Sequence, residues 1–328
     1  MKRWLLLLIL VPVLGWSAYW AAAAFGMKHG LETTLSGQRF EGLSGQAQES
    51  HVSGFPSQFR FGVMDLELHQ AAVFSASIPQ VQIEASAYSP HQINLELDSP
   101  QRVTTAFGDT VVDADLFQIG IFLRPNLSIP LDRILLRLEN AEMSVASQEE
   151  RVRADRLAMD FLETPESQSG ETEGLYRLRV VGEEIDLSDL LSDFPDDYRS
   201  ISDVRADIGL VFSSLWDRST FNTGFPRLQN VIIPEVQLAV GPSQISLEGQ
   251  VSVGLQGEIT GNVILNISSW RGLLAAFTQA EIVHQDLAEI ILDIMDGQDE
   301  NDTVNLPLKI DNNLVSFGVF TLGFLPTP

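Results

Sequence analysis

The sequence predicts a mainly β fold: a long twisted antiparallel sheet, curled or barrel-like, with one amphipathic helix in the C-terminal region and a transmembrane helix in front. Three observations carry this. Apolar residues alternate with polar ones at a period of two from Phe59 to Ile267. A single stretch, Leu273 to Ile294, places its apolar residues at helical spacing instead. The 22 residues from Trp4 to Phe25 carry no charge, and that length crosses a bilayer core as a helix.

Lys2 and Arg3 precede that stretch and favour a cytoplasmic N-terminus. Trp16, Tyr19 and Trp20 read as an interfacial aromatic belt at its outer end. The segment is either a retained signal-anchor or a signal peptide cut near Ala21–Ala24. Both place the remainder outside the cytoplasm. The expected arrangement is a single pass through a bacterial inner membrane via Trp4–Phe25, with the C-terminal domain in the periplasm. The divisions are 1–25 as signal-anchor, 26–50 as linker, and 51–328 as one β-rich domain, which could divide into halves 51–200 and 201–328.

The strands follow in order. Phe59, Phe61 and Val63 alternate with Arg60 and Gly62, and Leu66 and Leu68 resume after a change of phase at Met64–Asp65 that suggests a bulge. Val81–Ala85 and Ile93–Leu97 flank the Ser89–Pro90 turn. Gly108–Asp109 is a hairpin dipeptide. Ile134–Leu138, Leu157–Phe161 and Leu178–Val180 continue the pattern. Ile185–Tyr198 reads as a short helix ending at Pro195. From Pro234 to Ser268 a meander runs through Gly241–Pro242 and Gly257, its glycines suiting a bent sheet. The helix that follows is capped by Ser268 or Ser269 and ends near Gly297. A last hairpin turns at Asp311–Asn313.

The chain has no cysteine, which removes disulfides, thiol nucleophiles and cysteine metal sites. The net charge is −24, and −26 once Lys2 and Arg3 are set aside, so nucleic acid is repelled. The five histidines stand apart, with His284 on the apolar stripe of the late helix and His91 beside a turn. The pairs Glu183–Glu184 and Asp196–Asp197 read as solvated faces beside turns or helix ends. Asp296–Thr303 is a poor calcium loop, lacking the glycine and terminal glutamate that such a loop needs. No nucleophile elbow, phosphate loop or dinucleotide fingerprint is present. The expectation is therefore no enzyme, no catalytic or metal residues and no cofactor.

Phe55, Phe59, Phe61 and Val63 are expected to wall a hydrophobic groove, with Gly54 and Pro56 forming the turn before it. Leu273, Phe277, Ile291 and Ile294 are expected to bury the helix on the sheet. The run Ser53-Gly54-Phe55-Pro56 followed by Phe59-Arg60-Phe61 resembles an element of an uncharacterised alphaproteobacterial family, domain of unknown function 2125. The strands around Gly249 and Gly261, Trp270 opening a helix, and Phe317-Gly318, Leu322-Gly323 and Leu325-Pro326 resemble it too. In general look the chain is similar to AsmA-like envelope proteins, and that similarity implies phospholipid handling or envelope maintenance. The expected function is a membrane-anchored periplasmic protein that binds phospholipid, acyl chains or another hydrophobic partner in envelope maintenance, without catalysis. The alternative is a structural or protein-interaction module of the cell envelope with a sealed core.

Overall fold

The structure is a computed structural model that describes residues 2–37, 43–70, 74–105, 108–145, 150–169, 174–220, 224–295, 302–318 and 320–325. Side chains are described from Leu14 onward, apart from Met27, Leu31, Thr34, Val145, Leu287 and Ile294.

Helix α1 (Lys2–Leu35) leads into eighteen strands of one antiparallel sheet. The first are β1 (Leu43–Gln46), β2 (Glu49–Ser53), β3 (Gln58–Gln70), β4 (Phe74–Ser86), β5 (Ser89–Leu97), β6 (Gln101–Thr105), β7 (Gly108–Asp113) and β8 (Leu116–Leu123). The long central strands are β9 (Leu131–Val145), β10 (Arg151–Glu163), β11 (Leu175–Asp186) and β12 (Ser200–Phe212), with the short helix α2 (Pro165–Ser169) between β10 and β11. Then come β13 (Leu228–Val240), β14 (Ser243–Val253) and β15 (Ile259–Ser268), helices α3 (Trp270–Gln279) and α4 (Gln285–Met295), and β16 (Thr303–Asp311), β17 (Leu314–Phe317) and β18 (Phe320–Phe324).

The pairing is a meander. β1 and β2 lie end to end along β3, β5 and β6 both reach β4, and β7 and β8 both reach β9. From β9 onward each strand pairs with the next as far as β18. Among the described residues no ladder joins β1 or β2 to β18. The barrel-like closure is therefore corrected to a long open antiparallel sheet.

A transverse crease crosses the first twelve strands. Asp65 lies between the pairs Met64↔Gln80 and Leu66↔Ile78, so it faces Pro79. Asn140 faces Asp155, Asp155 faces Glu184 and Glu184 faces Ser202 by the same reading. Asp65, Asn140 and Glu184 each take φ near +48°, the left-handed region. The line also runs between β5 and β6, where the Ser99 hydroxyl donates to Ala114 O at 2.9 Å and accepts from Ala114 N at 2.8 Å. Asn140 Nδ2 continues it by donating to Asp115 Oδ2 at 2.7 Å. At this line the core-facing positions change parity, from Phe59, Phe61 and Val63 to Leu66 and Leu68. Neighbouring strands change together, so the register is unaltered on both sides. The bulge expected at Met64–Asp65 is thus corrected: no extra residue is inserted. Bulges do occur later, where β12–β13 and β13–β14 shift register around Ile208 and Pro234, since a proline within a strand cannot donate to the ladder.

The core comes in three clusters. One joins Phe61, Val63, Leu66 and Val81 with Leu35 of α1. Another stacks Phe161 on Tyr176, with Leu131, Phe212 and Trp216 around them. A third packs Phe194, Tyr198 and Ala276 with Leu273, Phe277 and Val240.

The membrane anchor is a correction as well. Among the described residues no helix is long and apolar enough to cross a membrane. The inner-membrane anchoring through Trp4–Phe25, the single-pass topology and the periplasmic placement drawn from them fall with it. The aromatic residues read as an interfacial belt are spent on the sheet instead. Trp20 stacks on Phe59 with centroids 5.6 Å apart, and Trp16 stacks on Tyr88 at 5.1 Å. α1 also continues past Phe25 through Lys28 and Glu32 to Leu35, which packs beside β1. Trp16 to Leu35 spans about 28 Å at 1.5 Å per residue, close to the ~30 Å from Phe59 to Leu68. The helix lies along the strand.

Two helical readings change too. The single late helix is split into α3 and α4, because Glu281 takes φ of 57° and the amides of Ile282 and Val283 fold back onto Phe277 O. Ser269 occupies the N-cap of α3 in a left-handed conformation, without a side-chain capping bond. Ile185–Tyr198 is not one helix. Ile185 and Asp186 end β11, overlapping turns follow, and a 3-10 helix covers Asp196–Tyr198.

Candidate functional site

The sequence-predicted residues fall in two places. Phe59, Phe61 and Val63 are buried in β3, at 1%, 4% and 1% exposure, beneath neighbours from α1 and β4. Phe55 is 54% exposed in the preceding turn and meets Trp20 edge-on at 5.6 Å. That turn is built by Gly54, at φ of 97°, whose carbonyl accepts from Gln58 N at 3.0 Å. Pro56 offers its carbonyl to Trp16 Nε1 at 2.9 Å, and Gln58 O accepts from Trp20 Nε1 at 3.0 Å.

Leu273 and Phe277 pack on the Phe194–Tyr198 turn and Val240. Ile291 is half-buried in α4, and the side chain of Ile294 lies outside the described residues. Gly272 of α3 sits directly on the Tyr198 hydroxyl, where any side chain would collide. The calcium-loop stretch Asp296–Asn301 is outside the described residues. His284 is not a core or boundary residue: it is 82% exposed beside Asp286, 3.6 Å away, at the start of α4. His91 lies near the start of β5, beside the β4–β5 turn, and Glu183–Glu184 lies within β11 on the crease.

The densest polar arrangement in the described structure was missed in the sequence. Glu163 ends β10 with its side chain fully buried, 2.6 Å from Arg124 Nη2. Its Oε1 accepts from Ser167 Oγ at 3.1 Å, and Ser167 Oγ also accepts from Gly174 N. Beside it Tyr176 is wholly buried, accepting from Trp216 N at 3.1 Å and donating to Leu131 O. Burial outweighs Arg124 and raises the Glu163 carboxyl above its ordinary value. Burial also pushes the Tyr176 phenol up to about 12. Glu163 joins the β10 end, α2 and the following chain, so the arrangement locks a corner of the sheet. The only local signal was an isolated glutamate following the apolar Phe161–Leu162 pair at a strand end.

The outer face of the central strands is laced by ion pairs. Arg133 grips Asp160 through two bonds of 2.7 Å, Arg177 meets Asp207 at 2.8 Å, and Arg153 reaches Glu142 at 3.0 Å and Asp186 at 3.2 Å. Exposed pairs of this kind contribute about 0–1 kcal/mol each. They engage Arg133, Arg153 and Arg177 and leave the surplus acid to set the field. Among the described residues no three His, Asp or Glu side chains converge to hold a metal ion.

The exposed apolar residues show the clearest organisation. Antiparallel pairing puts alternate turns at one end of the sheet. That end holds the β10–β11 and β16–β17 connections and five others: the turn before β3, the β4–β5 turn, the β8–β9 loop, the β12–β13 loop and the β14–β15 turn. Among these connections the five carry the exposed large apolar residues. Each of them exposes a large apolar side chain: Phe55 54%, Tyr88 70%, Leu127 88%, Phe225 75% and Leu255 75%. The chain's accessible surface is 19927 Å², against about 13,000 Å² for a compact monomer of 36.2 kDa. The chain is thus more extended than a compact monomer of its mass.

No curated protein matches the chain. Residues 20–326 match the family described as uncharacterized protein conserved in bacteria (DUF2125). That match takes in the Phe55 turn, the crease, the apolar rim and the closing hairpin together, so the chain belongs to the DUF2125 family.

Proposed function

We propose that this protein is a non-catalytic protein-interaction module that holds a partner protein on the apolar rim of its open sheet. The observation that carries the reading is the row Phe55, Tyr88, Leu127, Phe225 and Leu255, at least one exposed apolar side chain on each of five turns at the same end. Single exposed apolar residues are ordinary on any surface; a row of them along one end of a sheet marks an interaction site. The partner suited to it presents an apolar surface with a basic margin, because the net charge is −24. The best-formed buried polar group, Glu163 with Arg124 and Ser167, is enclosed and gives no substrate access, which favours a structural role for it.

The test is affinity capture from the lysate of a bacterium carrying a member of the family, with the immobilised full-length chain and its Tyr88→Ser/Phe225→Ser/Leu255→Ser variant. The reading expects one protein retained in fixed stoichiometry by the native chain and lost by the variant, with unchanged circular dichroism. Equal retention by both chains, or a partner that salt alone removes from both, would defeat it.

A further inference from the structure

The two edges of the sheet are treated differently. At the first edge, beyond the end of β2, the outward carbonyls of Pro56 and Gln58 accept from Trp16 Nε1 and Trp20 Nε1 of α1. Further along, Leu35 packs on the face of β1 at Gly45, within the core of Phe61, Val63 and Leu66. α1 therefore takes up the outward carbonyls at one end of this edge, where an added strand would start to pair, which is one of the ways an edge is guarded. At the last edge, no described residue pairs with the outer side of β18. This strand exposes Phe320 at 53%, Leu322 at 59% and Phe324 at 77%. From Leu314 to Leu325 there is no charged residue, in a chain where 20% of residues are charged. Lysine, the usual gatekeeper of an open edge, is missing from it.

We infer that β18 is the contact through which a second copy of this chain associates, in a closed dimer about a two-fold axis. The occupant follows from the edges. Head-to-tail addition would need β18 to meet the first edge of the next copy, where Trp16 and Trp20 of α1 already hold the carbonyls of Pro56 and Gln58. Among the described residues the same edge of another copy is the one left uncovered, and a contact of a surface with itself closes at two. The uncharged hairpin keeps the like charges of the copies away from the contact, beyond the ~8 Å over which they are screened at physiological salt. The bulge at Leu322 places Phe320 and Phe324 on opposite faces, so the contact would draw on both. At ~200 Å² for a whole Phe side chain, the three residues expose roughly 350 Å² per copy. A standard interface takes ~800 Å² per partner, so the dimer is expected to dissociate on dilution. This inference rests on the reading of the protein as an interaction module but uses a different surface from the rim.

The experiment is sedimentation velocity of the full-length chain across a hundredfold range of concentration, at low and high salt. The dimer fraction should rise with concentration and with salt, because screening weakens the repulsion between copies. Phe320→Lys/Phe324→Lys should abolish it with unchanged circular dichroism, although the variant lowers the net negative charge. The rim variant Tyr88→Ser/Phe225→Ser/Leu255→Ser should dimerise as the native chain does. A monomer at every concentration, a dimer unaffected by the β18 substitutions, or growth into open-ended assemblies would each overturn the inference. Loss of the dimer in the rim variant alone would assign self-association to the rim, and would also count against the rim as a site for a different protein.

Discussion

Replacing Trp20 by alanine should destabilise the whole sheet, although the residue lies in the N-terminal helix. The indole N–H bond to Gln58 O, 3.0 Å long, contributes about 1 kcal/mol. The stack on Phe59 and the edge contact with Phe55, both at 5.6 Å, contribute ~0.5–1.5 kcal/mol each. Trp20 is half-buried, so the change belongs below the ~3–5 kcal/mol typical of a fully buried tryptophan. A loss of about 2–3 kcal/mol follows. Urea unfolding of the full-length chain, followed by circular dichroism at 218 nm (a strand signal), measures it. The midpoint should fall while the slope stays constant, because the same surface is exposed on unfolding. A double-mutant cycle with Phe55→Ala should return a coupling of ~0.5–1.5 kcal/mol. A Trp20→Ala effect within ~0.5 kcal/mol, additive with Phe55→Ala, would refute the docking of α1 on β3.

Three further outcomes are expected. Asn140→Gly should change stability by less than ~1 kcal/mol, because relief at a left-handed residue offsets the lost bond to Asp115, whereas Asn140→Val should cost ~2–3 kcal/mol; thermal melts of the pair check this. Glu163 titrates above its ordinary value in the fold, so its contribution to stability is fully present below the ordinary glutamate range and is lost as pH rises through the raised value. Stability curves of the native chain and Glu163→Gln should therefore diverge over that window, and parallel curves would contradict it. Phe277→Ala removes the edge-on contact with Phe194 at 5.4 Å and should cost ~2–3 kcal/mol, with amide exchange accelerating in α3 and in the 187–199 turn before the rest of the sheet.

The strands were legible because each half of the sheet alternates strictly, and the hairpins at Gly241–Pro242 and Asp311–Asn313 were legible from their turn residues, whereas Gly108–Asp109, read as a hairpin dipeptide, opens β7 and pairs with Thr104–Thr105. The crease was visible only as a change of phase at Met64–Asp65. Its continuation through Asn140, Asp155 and Glu184 depends on which strands are neighbours, and one strand's sequence does not carry that. Trp16, Tyr19 and Trp20 have the same apolar bodies and polar tips whether they meet headgroups or a sheet edge, so a run without charge read as a bilayer span. Glu281 in a left-handed turn is a tertiary choice, which is why one apolar stripe became two helices. The buried Glu163 was hidden for a related reason. Its ion-pair partner Arg124 comes from the β8–β9 loop, which only the folded sheet brings beside Glu163 and the nearby Ser167. The rim was equally invisible, being five residues from five turns.

Site-specific photo-crosslinking in cells tests the interaction reading most directly. A benzophenone side chain placed at Phe225 or Leu255 should yield one crosslinked partner band, and the same group at Gln118, on the polar outer face, should yield none. Identical bands from all three positions, or bands from Gln118 alone, would contradict a partner held on the apolar rim.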